Sequence, residues 1–562
     1  MSLLSGFPEW YSPREIQKEL ISEIESKLKS GYTKIILCAP TGVGKSLIGT
    51  TFARHFERSF TVTASKHLQD QYIRDIPILK PVKGKTNFAC LKIMSSEKVT
   101  DEAKAMQLGL TCDKGLCQET VTENDKKVVK TCSYKPTIAD VENGIHDSDS
   151  CHYYLQKYEA LASPHSLWNY SAFFQIMKYN RALFEQYLDR DVSIFDEAHR
   201  IEDEVVRFVG YSAYAGQMRD CGLDSKKYNY SDVDSMIKLM DDLVYSYLEK
   251  RRELKKEALP DNPDYMALAK IDSQITKAEQ ARDNVQSDPE NYVIADPERD
   301  SSGDFKSVTM SPIDVSAFVG KFFDTKYQLF MSATIDKPSF CETLGLDVDS
   351  VALVDSPRSP FPAEHRKIGL LNVRRLSYGS TQDDELEVIR KMDAILDGHA
   401  DHRGLILTSS VSRCFKILEG LSPKNAARIK ICHSNNRDGK TQKEILAEHA
   451  SDSTSVLLSS SLWEGVDLKD DLSRFQIVAK IPYPPYTDKR VRAKRDKFPF
   501  WYTSQTLKKL LQGFGRSIRS ESDWAMTYVL DGAVESLLRY DHMIPKAYHD
   551  VLGLGNPLAT GT

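Results

Sequence analysis

The sequence predicts an α/β protein built on more than one parallel sheet. Short apolar runs such as Lys34 to Cys38 and Val192 to Phe195 end in polar loops and give way to helical periodicity, and the pattern recurs along the chain. Length points the same way, because 562 residues at roughly 100 to 200 per domain give three to five domains.

Taken in order, strands are expected at Lys34 to Cys38, Phe60 to Thr63, Val192 to Phe195, Tyr327 to Met331, Gly404 to Thr408, Ser455 to Leu458 and Phe475 to Ala479. Two stretches break the rhythm. From about Gly84 to Ser150 there is little periodicity, many charges and a crowd of cysteines, which suits a small insert held by something other than an apolar core. From about Asp203 to Ser302 the chain is charge-rich and helical. Two helical runs flank Pro260-Asp261-Asn262-Pro263, turn chemistry that predicts a helical hairpin.

Composition sets outer limits. Hydrophobic residues at 41% and charged residues at 28% are ordinary for a folded soluble chain. No apolar run approaches the roughly 18 residues that span a bilayer, and the N-terminus lacks a signal-peptide pattern, so an intracellular protein without membrane contact is expected. A net charge of -5 neither supports nor excludes nucleic acid, since a basic surface can be local.

The chemistry begins at Ala39-Pro40-Thr41-Gly42-Val43-Gly44-Lys45-Ser46, between a strand and a helix. Such a loop lets backbone N–H groups approach phosphates, with Lys45 on the outer phosphates and Ser46 on Mg²⁺. Ala39 stands where the general phosphate-loop pattern has glycine. After the second run, Asp196-Glu197-Ala198-His199 places carboxylates at a strand's C-terminal end, where α/β sheets bind ligands. Asp196 is assigned to the metal, Glu197 to the attacking water and His199 to coupling between sites. Alone these four residues would read as a solvated strand end; paired with the phosphate loop they read as an ATPase.

Ten cysteines without a secretion signal read as reduced thiols or metal ligands, and Cys90, Cys112, Cys117, Cys132 and Cys151 share one window. Their wide spacing lacks the paired knuckles of structural zinc, yet spacing alone leaves zinc, an iron–sulfur cluster and unliganded thiols all open. Near the C-terminus, YPPYTDKRVRAKRDKFPFWY interleaves Lys489, Arg490, Arg492 and Lys494 with aromatic rings. Cations for phosphates and rings for bases suit a single-strand track, while a solvated basic helix with core aromatics fits each residue about equally well.

Further motifs carry a family resemblance. Met331-Ser332-Ala333-Thr334, Leu462-Trp463-Glu464-Gly465-Val466-Asp467 and Gln512-Gly513-Phe514-Gly515-Arg516-Ser517-Ile518-Arg519 look like the third, fifth and sixth motifs of superfamily 2 helicases, in order. Asn87 to Cys90 and Cys151 to Tyr154 are similar to the flanks of the cluster domain of the XPD/DinG family, which the chain resembles over nearly its whole length.

The resemblance implies two RecA-like parallel-sheet motor domains, the first carrying an iron–sulfur insert and a helical arch. The expected divisions are 1–85, 156–202 and 306–365 for the first motor, 86–155 for the cluster insert, 203–305 for the arch and 366–562 for the second motor. It implies a [4Fe-4S] cluster on four of the five cysteines, and adenine recognition by Tyr11, Arg14 and Gln17. Ser332 and Thr334 take a coupling role, Asp467 and Gln512 contact ATP, and Trp463 joins the nucleic-acid track. Arg516 and Arg519, three apart, are expected on one helical face where both reach the transferring phosphate.

The implied activity is an ATP-dependent DNA helicase of the DEAH-box type, moving 5′ to 3′ on single-stranded DNA and acting at forks in repair. It would be a monomer that meets repair or replication proteins, cytoplasmic and nucleoid-associated in a prokaryotic or viral setting. The alternatives are an RNA helicase, a protein-displacing translocase, or a nucleic-acid scaffold with a vestigial ATPase.

Overall fold

A computed structural model of the chain describes residues 2–123, 126–146, 149–257, 265–377, 379–433, 439–518 and 520–554. The chain forms two compact units, one of Met1–Thr51, Phe330–Tyr486 and Arg495–Thr562, the other of Phe52–Leu329 and Thr487–Lys494.

The first unit holds a six-stranded sheet in the order Ile368–Arg374, Met526–Asp531, Phe475–Val478, Gly404–Leu407, Val456–Ser459 and Ile429–Ile431. Every pairing is parallel. The runs GLIL, VLLS and FQIV are apolar without alternation because both faces are covered. Leu405, Leu407, Leu457 and Val478 pack against Leu507, Leu510 and Leu511 of the helix Trp501–Phe514. Ile406, Leu458 and Ile477 point the other way, onto Val388, Met392 and Leu396 of the helix Gln382–Gly398. Each such side chain contributes about 1.5–3 kcal/mol relative to exposure. The same unit carries the strand Lys34–Cys38, paired in parallel with Val351–Asp355.

In the second unit Val192–Asp196, Ser59–Thr63, His165–Asn169 and Lys80–Val82 lie side by side in that order, all parallel. The cysteine segment has a core of its own, made by Ala89, Cys90, Ile93, Met94, Ala105, Leu110 and Cys112. Sequence reading expected almost no core here. These residues come from short helices and turns, too brief for a period to register.

The long helices Val233–Glu257 and Tyr265–Ser287 pack on each other as expected, with Met236, Leu239, Met240 and Leu243 at helical spacing against Ile271, Ile275 and Ala278. The predicted turn at Pro260 to Pro263 lies outside the described residues. An unexpected antiparallel sheet closes this insert, in which Phe305–Pro312 pairs with Tyr211–Tyr214, Tyr292–Ile294 and Glu298–Arg299. Among the described residues no helix is long and apolar enough to cross a membrane.

Candidate nucleotide site and nucleic-acid interface

The phosphate loop is fixed at both ends. The Ala39 N–H donates to the Ser332 carbonyl at 2.9 Å, which ties the loop to the end of the strand Tyr327–Ser332. Ala39 is not among the residues with positive φ, whereas Gly42 (φ 88°) and Gly44 (φ 86°) are. Glycine is therefore needed at those two places and not at 39. A Cβ on Gly42 would meet the Phe361 ring at 2.3 Å, and one on Gly44 would meet the Gln17 amide at 2.4 Å. Lys45 donates to the Ala39 carbonyl at 3.0 Å.

Arg14 and Gln17, expected at adenine, grip the loop backbone. Arg14 Nη2 donates to the Gly42 and Val43 carbonyls at 2.6 and 2.7 Å, and Gln17 Nε2 to Val43 at 3.0 Å. Gln17 is buried and Tyr11 exposed. Thr334, two residues beyond Ser332, is buried, and its N–H donates to Ser332 Oγ at 3.3 Å.

In the same unit the fifth and sixth motifs are stitched together. Arg516 donates through Nη1 to the Val466 carbonyl at 2.8 Å and through Nε to the Gln512 carbonyl at 3.1 Å. The helix Trp501–Phe514 ends before Arg516, so the expected helical face does not extend to it; Arg519 lies outside the described residues. Gln512 is buried and Asp467 exposed. Trp463 corrects an expectation. It is buried in the core beside Gly513 with its indole N–H on the Thr408 carbonyl at 3.1 Å, so its ring offers no face to a base.

In the second unit, Asp196 is held by two tyrosines that sequence reading missed. Tyr72 Oη donates to its carboxylate at 3.0 Å and Tyr170 Oη to its carbonyl at 2.9 Å. Burial, followed by the charges of Asp196 and Glu197, pushes the Tyr170 phenol well above its usual range, so it remains a donor. Glu197 adopts left-handed backbone (φ 51°), an uncommon state for a side chain of this size, and Asp196 Oδ1 accepts its N–H at 3.0 Å. Its carboxylate stands 3.2 Å from Nδ1 of the buried His199.

The basic run is less available than its sequence suggests. Lys494 is 0% exposed and bonds to Glu202 at 2.7 Å, Arg490 bonds to the same carboxylate at 2.7 Å, and Lys489 pairs with Asp296 at 2.7 Å. These three corrections share a cause, since each cation already has a carboxylate of the second unit. Burial also holds the Lys494 ammonium below its usual range. Arg492 remains exposed. In the first unit Arg495 lies over Tyr486 and Tyr502, 5.0 and 5.8 Å from their centroids, and Tyr486 is 50% exposed.

Residues 11–219 match the family described as type III restriction enzyme, res subunit, and residues 397–550 match the helicase C-terminal domain. The ATP-dependent DNA helicase YoaA of Haemophilus influenzae is 22% identical over 602 residues, spanning 93% of this chain and 91% of its own. YoaA of Escherichia coli is 22% identical over 604 residues, with the same coverage. A solved XPD helicase shares the fold with a TM-score of 0.60 at 15% identity, covering 97% of this chain and 99% of that one. The chain is similar to the XPD/DinG-like superfamily 2 helicases over nearly its whole length. Its parallel sheets are the two RecA-like motor folds of those helicases.

That resemblance implies an iron–sulfur cluster, so the cysteines of this chain bear a test of fit. Cys112 Sγ lies 4.0 Å from Cys151 Sγ and donates to the Ala89 carbonyl at 3.2 Å. Hydrogen bonds from Cys112 draw the Cys90 and Cys151 thiols down to about 7 and about 6, and push Cys112 itself up. Cys117 and Cys132 flank the hairpin of Gln118–Glu123 and Lys126–Thr131, with the Cys132 N–H on the Cys117 carbonyl at 3.0 Å. Lys85 Nζ donates to Cys117 Sγ at 3.5 Å. A Cβ on Gly115 would stand 2.5 Å from Cys90 Sγ, so only glycine leaves that thiol its room. Among the described residues no three His, Cys, Asp or Glu side chains converge on a point for one metal ion. Cys90, Cys112, Cys117, Cys132 and Cys151 are all free thiols of one segment, the ligand type that holds either a single soft ion or an iron–sulfur cluster.

Proposed function

We infer that the chain is an ATP-dependent DNA helicase that translocates on single-stranded DNA, 5′ to 3′ as in its family, and separates duplex in DNA repair. The observation that carries this reading is the extent of the likeness: relatives named as ATP-dependent DNA helicases match 93% of this chain, inserts included, rather than the motors alone. The domain divisions expected above go with it.

In this reading the Gly42 to Gly44 backbone and Lys45 hold the ATP phosphates, Ser46 and Asp196 hold Mg²⁺, and Glu197 orients the attacking water. His199 steadies the Glu197 carboxylate. Arg516, with Arg519, neutralises charge on the transferring phosphate, a role that supplies about 10³ to 10⁵ in rate where an arginine plays it. Arg14 and Gln17 shape the loop, with Tyr11 beside the base. Four of Cys90, Cys112, Cys117, Cys132 and Cys151 would hold a [4Fe-4S] cluster, which when bound supplies thiolate–iron bonds that stiffen the insert. Arg492, Arg495 and the Tyr486 ring are the groups of the basic run that best suit a strand of DNA.

The test is ATP turnover with single-stranded DNA, single-stranded RNA and no nucleic acid, using Glu197→Gln as control. DNA should raise wild-type turnover and RNA should not, while Glu197→Gln stays at least about a hundredfold lower. Equal stimulation by RNA would favour an RNA helicase. No stimulation by either, with stable DNA binding, would favour the scaffold reading.

A further inference from the structure

The segment Thr487–Lys494 belongs to the second unit although Tyr486 before it and Arg495 after it belong to the first. It includes most of the helix Lys489–Lys497, which leads within a few residues into the helix Trp501–Phe514 that carries Gln512 and ends just before Arg516. Three bonds seat the segment. Arg490 Nη2 and Lys494 Nζ both donate to Glu202 Oε1 at 2.7 Å, and Arg490 Nε donates to the Pro312 carbonyl at 2.8 Å. Lys489 adds its ion pair with Asp296. Glu202 is itself buried and lies on the helix Ile201–Val209, which starts where the turn Ala198–Arg200 of the DEAH motif ends.

This geometry is more than a solvated basic face. A single carboxylate oxygen takes two cations, and neither ammonium nor carboxylate is open to water, so the bonds fix direction as well as contact. Glu202 is three residues past His199 and five past Glu197. The DEAH turn and the segment Thr487–Lys494 are thus joined through one side chain, Glu202. Lys494 also feels the charge of Asp314, so loss of the Glu202 charge alone leaves it one carboxylate.

We propose that Glu202 is a positioning residue that couples the DEAH turn to the DNA-responsive state of the motor, by fixing Arg490 and Lys494 and so the helix that leads to Gln512 and Arg516. The proposal rests on the DNA-helicase reading above, and it assigns Arg490 and Lys494 to coupling rather than to DNA.

The experiment compares the full-length wild type, Glu202→Gln and the double variant Glu202→Gln/Lys494→Met in basal ATP turnover, turnover with single-stranded DNA, KM for ATP, base pairs separated per ATP and melting temperature. Glu202→Gln should keep basal turnover and KM within about twofold and lose DNA stimulation by about tenfold, within the range that substitutions in coupling networks reach. Base pairs separated per ATP should fall with it. The double variant, which removes the poorly compensated buried ammonium, should recover melting temperature and leave coupling low.

Recovery of both stability and coupling in the double variant would reduce Glu202 to a packing role and overturn the proposal. DNA stimulation at the wild-type level in Glu202→Gln would overturn it as well. If Glu202→Gln does not fold, the double variant decides alone: low coupling at wild-type stability supports the proposal and wild-type coupling overturns it. A wild type that hydrolyses ATP without any response to DNA would overturn the functional reading, and this proposal with it.

Discussion

The phosphate loop leaves a strand buried along nearly its whole length, is bonded at Ala39 to the end of a second strand, and is gripped by Arg14 and Gln17 from a helix. Among its described residues the cysteine segment is framed by shorter elements. Its core is seven buried side chains, two of them thiols, and its hairpin is met at the base by Cys117 and Cys132. Shape at the phosphate loop thus comes from long-range apolar burial, which persists when a charged group is removed. Shape in the cysteine segment comes from a small core that includes two of the groups that would bind its cofactor, so chemistry and folding are coupled there. Substitutions in the two places should differ in kind.

The largest effect is expected at Lys45. Lys45→Ala should lower ATP turnover by roughly 10³-fold, because a charge aimed at the transferring phosphate is lost. Its ammonium donates to the Ala39 carbonyl and lies outside the apolar core, so melting temperature should stay within a few degrees of wild type. Thermal melting beside steady-state kinetics checks both halves. A variant that loses turnover by unfolding would show that the loop is not held by its sheet, and would erase the contrast.

Cys90→Ser sharpens the other side. Cys90 is buried, hydrogen-bonded with Cys112 and boxed by Gly115, so the substitution removes a thiolate ligand from the proposed cluster and a packed group from a small core. Anaerobically purified wild type should carry about four irons per chain, and the variant should carry few and become sensitive to protease between Ala89 and Cys151. ATP turnover should fall by no more than about threefold, since the phosphate loop has a core of its own, while strand separation fails. Stoichiometric zinc in wild type would reject the cluster. Full unwinding by an iron-free variant would reject its part in separating strands.

How much of this was legible in the sequence follows from range. The phosphate loop, the DEAH turn and the seven strands expected above are local patterns, and the chain places them within a residue or two of where periodicity puts them, whereas Lys80–Val82, His165–Asn169, Val351–Asp355, Ile368–Arg374, Ile429–Ile431 and Met526–Asp531 went unread. The two long helices were equally plain as charge-rich helical runs on either side of Pro260 to Pro263, whereas Tyr211–Tyr214 and Phe305–Pro312 pair across about ninety residues and carry too little alternation to announce a sheet. The basic run misled for the same reason. A stretch of cations records sign and not partner, and Glu202 stands 288 and 292 residues from Arg490 and Lys494. Trp463 read as part of a nucleic-acid motif, yet a tryptophan beside Gly513 has a cavity to fill that only the folded sheet reveals. Tyr72 had no signal at all, because a phenol that orients a carboxylate 124 residues away belongs to no local pattern.

The smallest effect expected is the one that separates loop-bracing from base recognition. Gln17 is buried, its amide N–H donates to the Val43 carbonyl, and its amide oxygen accepts the Arg14 N–H at 2.9 Å. In Gln17→Ala both bonds go; the Val43 carbonyl keeps its bond from Arg14 and the partly exposed Arg14 N–H turns to water, so the net loss is about 1 kcal/mol. That corresponds to roughly a fivefold rise in KM for ATP with kcat nearly unchanged, the pattern of a binding loop that has loosened without losing a reacting group. Because the contact is to the loop backbone, KM for GTP should rise by the same factor. A rise confined to ATP would place the Gln17 amide on adenine when nucleotide is bound, and would move this residue from the loop's frame to its recognition surface.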